Sequence, residues 1–353
     1  MSRVTDGVLD PRFFEKLGPV SLQSLAELAG ARPASGAPLS MPVDGVAPLS
    51  APRSGALTYI ERLPPGPVPP LPEGAVFIIP PDAEDRANEA GVAAIVSQYP
   101  RAAFGLAARG LFRLRAYTQS TEAIASDAEI GEGAQFGPGV CVGAKARIGR
   151  NARIGPGTVI GPGVTIGDNA VIGANCVIVC ADIGDDLDMH SCSVIGESGF
   201  GVAQTDGAPV EMPHFGSVKI GNGLRLGAVC GVDRGMFGPT VIGNHCKLDN
   251  HCHIAHNVKM GNGVIMAAYA AVAGSTTVGN DVVFGGRVAV LDHATIGDGA
   301  VLAAGSDVLA NVPAGETWGG TPAIPHKQHL KQIAWIRMKS GVKRRSSRRG
   351  DKS

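Results

Sequence analysis

Residues 242–308 read IGNHCKLDNHCHIAHNVKMGNGVIMAAYAAVAGSTTVGNDVVFGGRVAVLDHATIGDGAVLAAGSDV, with a large apolar side chain on every sixth position. Ile242, Leu248, Ile254, Met260, Met266 and Val272 open that run, and Val308 closes it. A period of six fits neither a helix face nor an alternating strand. It fits a coil that turns a corner every six residues and points each large apolar side chain at a shared axis. The position four further on supports this, because Val258, Val264, Ala270 and Thr276 are the small or β-branched residues a narrow interior requires. Gly or Ala often follows the large residue, as a tight corner would demand.

The spacing reaches back through most of the chain. It is unbroken from Ile124 to Ile178, slips by one residue to Ile183, Met189 and Ile195, and resumes at Ile220, Leu226 and Val232. Three hexads per turn predict a triangular prism of about nine coils, roughly 45 Å tall at about 4.8 Å between strands. Residues eighteen apart should then stack. Two interruptions must leave the prism as loops, one between Ile195 and Ile220 and one between Val232 and Ile242 holding Asp233-Arg234-Gly235. Loops on a rigid scaffold are frequent carriers of function.

Composition narrows the rest. The chain has 353 residues, with Lys+Arg and Asp+Glu equal at 31, so bulk charge gives no reason to expect a nucleic-acid partner. No apolar run is long enough to span a membrane, and no apolar signal-peptide core stands at the N-terminus, so a cytoplasmic protein is expected. The seven cysteines form no CxxC pair. Cys176, Cys230, Cys246 and Cys252 fall on the small interior position and are expected to be buried and reduced.

Three parts are expected. Residues 1–118 form an N-terminal α/β module: a helix capped by Ser21 and ending at Gly30, strands over 57–60, 75–79 and 92–96, and helices over 82–90 and 101–112, with residues before about 20 irregular. Residues 119–312 form the prism. Residues 313–353 carry a helix from about Pro325 to Ser340 and a basic tail, read as disordered and as a landing strip for an acidic protein.

Chemistry concentrates in HCKLDNHCHIAHN, with His245, His251, His253, His256 and Asp249. Hexad phase points His251 and His256 outward. Counting by eighteen puts Gly274 in the position of His256 one coil on, within roughly 5 Å. His293 follows along the same ridge. A histidine base beside a glycine with an approachable N–H suits acyl transfer.

Together LDNHCHIAHN, AGS (273–275), VDRG, IGESGFG and TPA, with the N-terminal APLSAPRSGALTYI and PRAAFGLAARGLF, resemble the signature segments of the UDP-3-O-(3-hydroxyacyl)glucosamine N-acyltransferases of lipid A synthesis. That resemblance implies a left-handed parallel β-helix of hexapeptide repeats, assembled as a homotrimer with active sites between prisms. It implies an N-terminal module that binds the uridine nucleotide. It also implies no bound cofactor and no metal, with 3-hydroxyacyl-[acyl carrier protein] donating through its phosphopantetheine thioester to UDP-3-O-acylglucosamine. By position in those motifs, His256 matches the general base and Asp249 the residue that sets its charge and tautomer. Gly274 matches the oxyanion donor and His293 a second active-site histidine. Tyr59 matches the uracil-stacking aromatic, Phe200 and Gly201 the sugar-nucleotide loop, and Asn250 a substrate contact.

Other readings of the same residues stay open at this point. A zinc site resembling that of the γ-class carbonic anhydrases could use His251, His256 and His214. An acetyl-CoA-dependent sugar-nucleotide acetyltransferase, the related O-acyltransferase and a non-catalytic scaffold are further alternatives.

Overall fold

A computed structural model describes residues 9–62, 72–115, 122–320 and 325–340. The connector over 63–71, the TPA segment and the basic tail beyond residue 340 lie outside those residues.

The solenoid expected from the hexads is present. Its three faces are parallel sheets of nine, ten and nine strands, each built from every third hexad. The first face runs from Glu129–Ile130 to Thr295–Ile296, the second from Gln135–Phe136 to Thr317–Trp318, and the third from Cys141–Val142 to Asp307–Val308. Ile254 pairs with Val272, and Val272 with Val290, so the count of eighteen holds. The slip after Ile178 makes one coil a residue shorter, and Ile166 pairs with Ile183. The solenoid runs past residue 312, because Thr317–Trp318 adds a last strand beside Val301–Leu302.

Large and small interior positions are both buried: Ile254, Val272, Val258 and Ala270 expose no surface. Fully burying one such aliphatic side chain stabilises by about 1.5–3 kcal/mol, and stacking repeats that gain along the axis. Cys176, Cys230, Cys246 and Cys252 are buried free thiols, as their phase requires.

The corner works differently from the sequence expectation. The left-handed residue is the third after the large apolar one, as at His251 (φ 59°), Asn257 (φ 60°), Ser275 (φ 61°) and His293 (φ 58°). The glycine directly after the apolar residue serves close approach instead. A Cβ on Gly149 would stand 2.4 Å from the backbone carbon of Gly167 on the next coil.

In the N-terminal module, Ser21 caps α1 (Leu22–Leu28) by accepting from the Ser24 amide, and Gly30 follows at φ 61°. The strands at Ala56–Tyr59, Val76–Ile79 and Ala93–Val96 lie parallel at the centre of a five-stranded sheet. The helix expected over 82–90 is a short 3-10 turn followed by α2 (Glu84–Glu89). The helix expected over 101–112 is α3 (Pro100–Ala108), and it stops early because Phe112–Leu114 pairs with Phe14–Lys16. That pairing gives structure to a segment expected to be irregular. It depends on residues about a hundred positions apart, which no local pattern reports. The C-terminal helix is α4 (His326–Lys339).

The module is seated on the two interruptions of the solenoid. Phe215 packs edge-on against Phe14 and Phe112 at 6.0 and 5.7 Å, and Phe237 meets Phe104 at 5.7 Å. Arg109 donates to the Glu211 carbonyl at 2.8 Å. Arg12 forks onto both Asp182 oxygens at 2.6 and 2.8 Å. The loops that broke the repeat therefore join the module to the prism.

Candidate active site

His256 stands at the corner between the third and first faces, where the interruptions fold over the prism. Its imidazole lies against Gly274 of the next coil: a Cβ there would be 2.6 Å from Cε1 and 2.7 Å from Nε2. The backbone locks the stack, since Ser275 N–H donates to the His256 carbonyl and His293 N–H to that of Gly274. Along the corner between the first and second faces, side-chain oxygens of the coil above cap the equivalent amides, as Asn262 caps Asn244 and Asn280 caps Asn262. The Gly274 N–H meets no acceptor among the described residues. It is an open donor beside an imidazole.

Asn257 decides the tautomer of His256. Its Oδ1 accepts from the Met236 amide at 2.8 Å and its Nδ2 donates toward the Gly238 carbonyl at 3.4 Å, so the amide can face only one way. Oδ1 then stands 3.3 Å from His256 Nδ1. Nδ1 carries the proton and donates, which leaves Nε2, the atom over Gly274, as the acceptor.

His214, from the larger interruption, packs its ring against His256 at 5.0 Å and 61°. It is buried, with Nδ1 3.1 Å from the Met212 carbonyl and 3.2 Å from Ser198 Oγ. Burial first, then the charges of His256 and Arg234, push its pKa down to about 4. Arg234 holds this loop from beneath, donating to the His214 and Gly196 carbonyls at 2.9 Å each. Gly199 fits between the rings, where a Cβ would stand 2.8 Å from His256 Cβ and 3.0 Å from His214 Nε2.

A pH dependence follows. An unfolded histidine titrates near 6.5, so between that value and about 4 the folded loop binds fewer protons than the unfolded one. The stabilisation from neutral His214 is complete above about pH 6.5 and is lost as pH falls toward 4, on the order of 3 kcal/mol. Hydrogen exchange over residues 199–217 is expected to quicken from about pH 7 to about pH 4.5, relative to the prism interior. Equal protection at both pH values would contradict the assignment.

A cavity of about 340 Å³ opens on the third face, lined by Phe200, Asp233, His253, His256, Gly274 and small residues of the Ala271–Val272 and Ala289–Val290 strands. Phe200 is 87% exposed at its mouth. A larger hollow of about 710 Å³ in the N-terminal module has one titratable lining side chain, Glu73, and no histidine. Of the two, only the smaller cavity is lined by histidines.

The other expected site residues fall as follows. Gly201 packs on His214, where a Cβ would stand 3.2 Å from Cε1. His293 is exposed on the His256 ridge, outside the cavity lining. Tyr59 is half-buried in the module with its ring 5.1 Å from Phe104. Asp249 and Asn250 occupy the opposite corner of the third face. Asn250 caps the Ala228 amide and donates to Asp249 Oδ1 at 2.9 Å. Asp249 thus does not orient His256 within one chain, because a full face separates them and Asn257 takes that place. His251 shares the corner of Asp249 and stacks on Tyr269 at 4.6 Å, so the three histidines of the zinc alternative do not converge in one chain. Among the described residues no three His, Cys, Asp or Glu side chains gather as metal ligands.

Sequence reasoning missed Asn257, the packing of His214 on His256, and the pair formed by Asp233 and His253. The advance signals are that VDRG lies in an interruption and that the zinc alternative groups His214 with His256.

Known proteins bear on this geometry. The bacterial transferase hexapeptide (six repeats) family matches residues 145–180 and 239–274, and the hexapeptide repeat of succinyl-transferase matches 275–310. A UDP-3-O-acylglucosamine N-acyltransferase of Maricaulis maris (strain MCS10) is 50% identical over 97% of this chain and 99% of its own. The protein of that name from Caulobacter sp. (strain K31) is 44% identical over 94% and 97%. A third, from Caulobacter vibrioides (strain NA1000 / CB15N), is 46% identical over 94% and 98%. With a solenoid of hexapeptide repeats, an outward histidine against an open amide, and such identity across nearly its whole length, the chain belongs to the UDP-3-O-acylglucosamine N-acyltransferase family and is an acyltransferase.

Proposed function

We propose that the chain transfers a 3-hydroxyacyl group from the phosphopantetheine thioester of acyl carrier protein to the 2-amine of UDP-3-O-acylglucosamine, giving UDP-2,3-diacylglucosamine. One observation carries the mechanism: His256 Nε2 lies over Gly274, whose N–H is unclaimed among the described residues. The amine nitrogen attacks the thioester carbon while Nε2 takes its proton. The carbonyl electrons move onto oxygen, and the Gly274 N–H donates to that oxyanion. Collapse breaks the C–S bond, and the proton on Nε2 passes to the thiolate sulfur. The Asn257 carbonyl at Nδ1 favours the imidazolium that forms in between. No cofactor takes part, since a thiolate leaves readily without one.

Tyr59 and Phe200 would hold the nucleotide and sugar, and His293 would contact donor or sugar from the ridge. In a homotrimer with sites between prisms, Asp249 and Asn250 would approach His256 from a neighbouring protomer. That arrangement is compatible with their place at the far corner of the face. The reaction would run in the cytoplasm.

The test is an assay of purified chain with UDP-3-O-acylglucosamine and a series of 3-hydroxyacyl carrier proteins, read by product mass. An N-acylated product with one preferred chain length is expected. No N-acylated product with any donor would overturn the proposal.

A further inference from the structure

Proton counting at the acceptor nitrogen leaves one proton without a destination. An amino sugar that arrives as an ammonium ion, R–NH₃⁺, leaves as an amide, R–NH–CO, and has lost two protons. His256 takes one as the C–N bond forms and returns it to sulfur. The other must go earlier, because an ammonium nitrogen has no lone pair with which to attack. A hydroxyl acceptor raises no such problem.

The cavity holds a second set of proton acceptors. Asp233, from the shorter interruption, lines it beside His256 and Gly274, with its side chain 15% exposed. Asp233 Oδ2 is 3.4 Å from His253 Nε2, its ion-pair partner among the described residues. His253 projects outward one residue before the buried Ile254, with its side chain half exposed.

The other charged or titratable groups around the pair are committed elsewhere. Arg234 turns inward to the His214 and Gly196 carbonyls and toward Glu197, and the buried His214 has its Nδ1 beside the Met212 carbonyl. His256 is the base already assigned. Phe200 and small residues of the third face make up the rest of the lining, so Asp233 is the carboxylate an incoming ammonium would meet.

We infer that Asp233 and His253 form a second proton-accepting pair of the active site, which binds the acceptor as an ammonium ion and removes its first proton. The inference rests on the amine-acylating reading above. The ammonium hydrogen-bonds to the Asp233 carboxylate. One N–H bond breaks with its electrons left on nitrogen, and the proton is relayed by the Asp233 carboxylate and solvent to the free Nδ1 of His253, giving an imidazolium whose Nε2–H Asp233 already holds. The freed amine then attacks the thioester, its second proton goes to His256, and His253 later gives its proton to solvent through its exposed edge. Asp233 raises the basicity of His253, which makes the imidazole the better acceptor. The pair also supplies a basis for preferring an amine over a hydroxyl acceptor.

The experiment compares wild type, Asp233→Asn and His253→Gln by kcat/KM for UDP-3-O-acylglucosamine between about pH 6 and about pH 9.5. Each variant is expected to lose roughly 10²-fold at the acid end. The loss should shrink toward parity at the alkaline end, where solution supplies the free amine. His253→Gln removes an exposed side chain, so it serves if Asp233→Asn folds poorly. A loss of the same size at every pH, or no loss at any pH, would overturn the inference. Absence of N-acylated product from wild type would instead sink the transfer reading itself.

Discussion

Replacing His256 by alanine is expected to lower kcat by about 10²–10⁴-fold, the usual contribution of a positioned general base. In activation free energy that is roughly 3–5 kcal/mol. The prism should stay folded, because the corner is held by its backbone: the His256 carbonyl accepts from Ser275 N–H, and Asn257 N–H donates to Thr240 Oγ1 at 2.8 Å. Steady-state kinetics with a melting curve decides it. KM for the acceptor should change little, since the ring acts mainly as attack occurs. Near-normal turnover would remove His256 from the mechanism, and a collapsed melting temperature would show that the ring serves the fold.

Gly274→Ala is expected to cost roughly 10²–10³-fold in kcat although the oxyanion donor itself survives. The backbone there tolerates alanine, since Gly274 is not among the residues with positive φ. Space is what fails. The new methyl carbon would stand 2.6 Å from Cε1 and 2.7 Å from Nε2 of His256. The ring has little room to swing aside, because Gly199 lies so close behind it that even a Cβ there would stand 2.9 Å from His256 Cδ2, and the His214 ring packs against it at 5.0 Å. Methyl and imidazole therefore compete for the volume in which the thioester must sit. Overpacking of this kind costs about 1–3 kcal/mol of stability, well short of unfolding a long solenoid. Wild-type kcat in the alanine variant would mean that Nε2 works somewhere other than over Gly274.

The two variants also separate cause from scaffold. Ser275, the next residue, occupies the left-handed corner and gives its N–H to the His256 carbonyl. Ser275→Ala keeps that backbone bond and adds no atom near the imidazole. Its kcat should remain within about threefold of wild type, as surface changes away from packed or charged groups generally do. A large loss there would point to a hydroxyl role that the geometry does not provide.

The hexad count by itself determined the prism, its three faces, the eighteen-residue stack and the place of Gly274 beside His256. Those features follow from arithmetic on a repeat in which each coil packs only on its neighbours, so local spacing carries the global fold. The short helices and parallel strands of the module were legible for a similar reason, since caps and apolar runs are local signals. Contacts made where the repeat breaks were decided only by the tertiary structure. Asn257 sets the tautomer of His256 through bonds to Met236 and Gly238, across the shorter interruption. His214 reaches the same ring from a loop whose path depends on Arg234 beneath it and on the module above. Asp249, seven residues before His256 in the chain, lies a whole face away, because a corner separates them. Loop contacts of this kind are fixed by packing between distant segments, and neither a period nor a propensity encodes them.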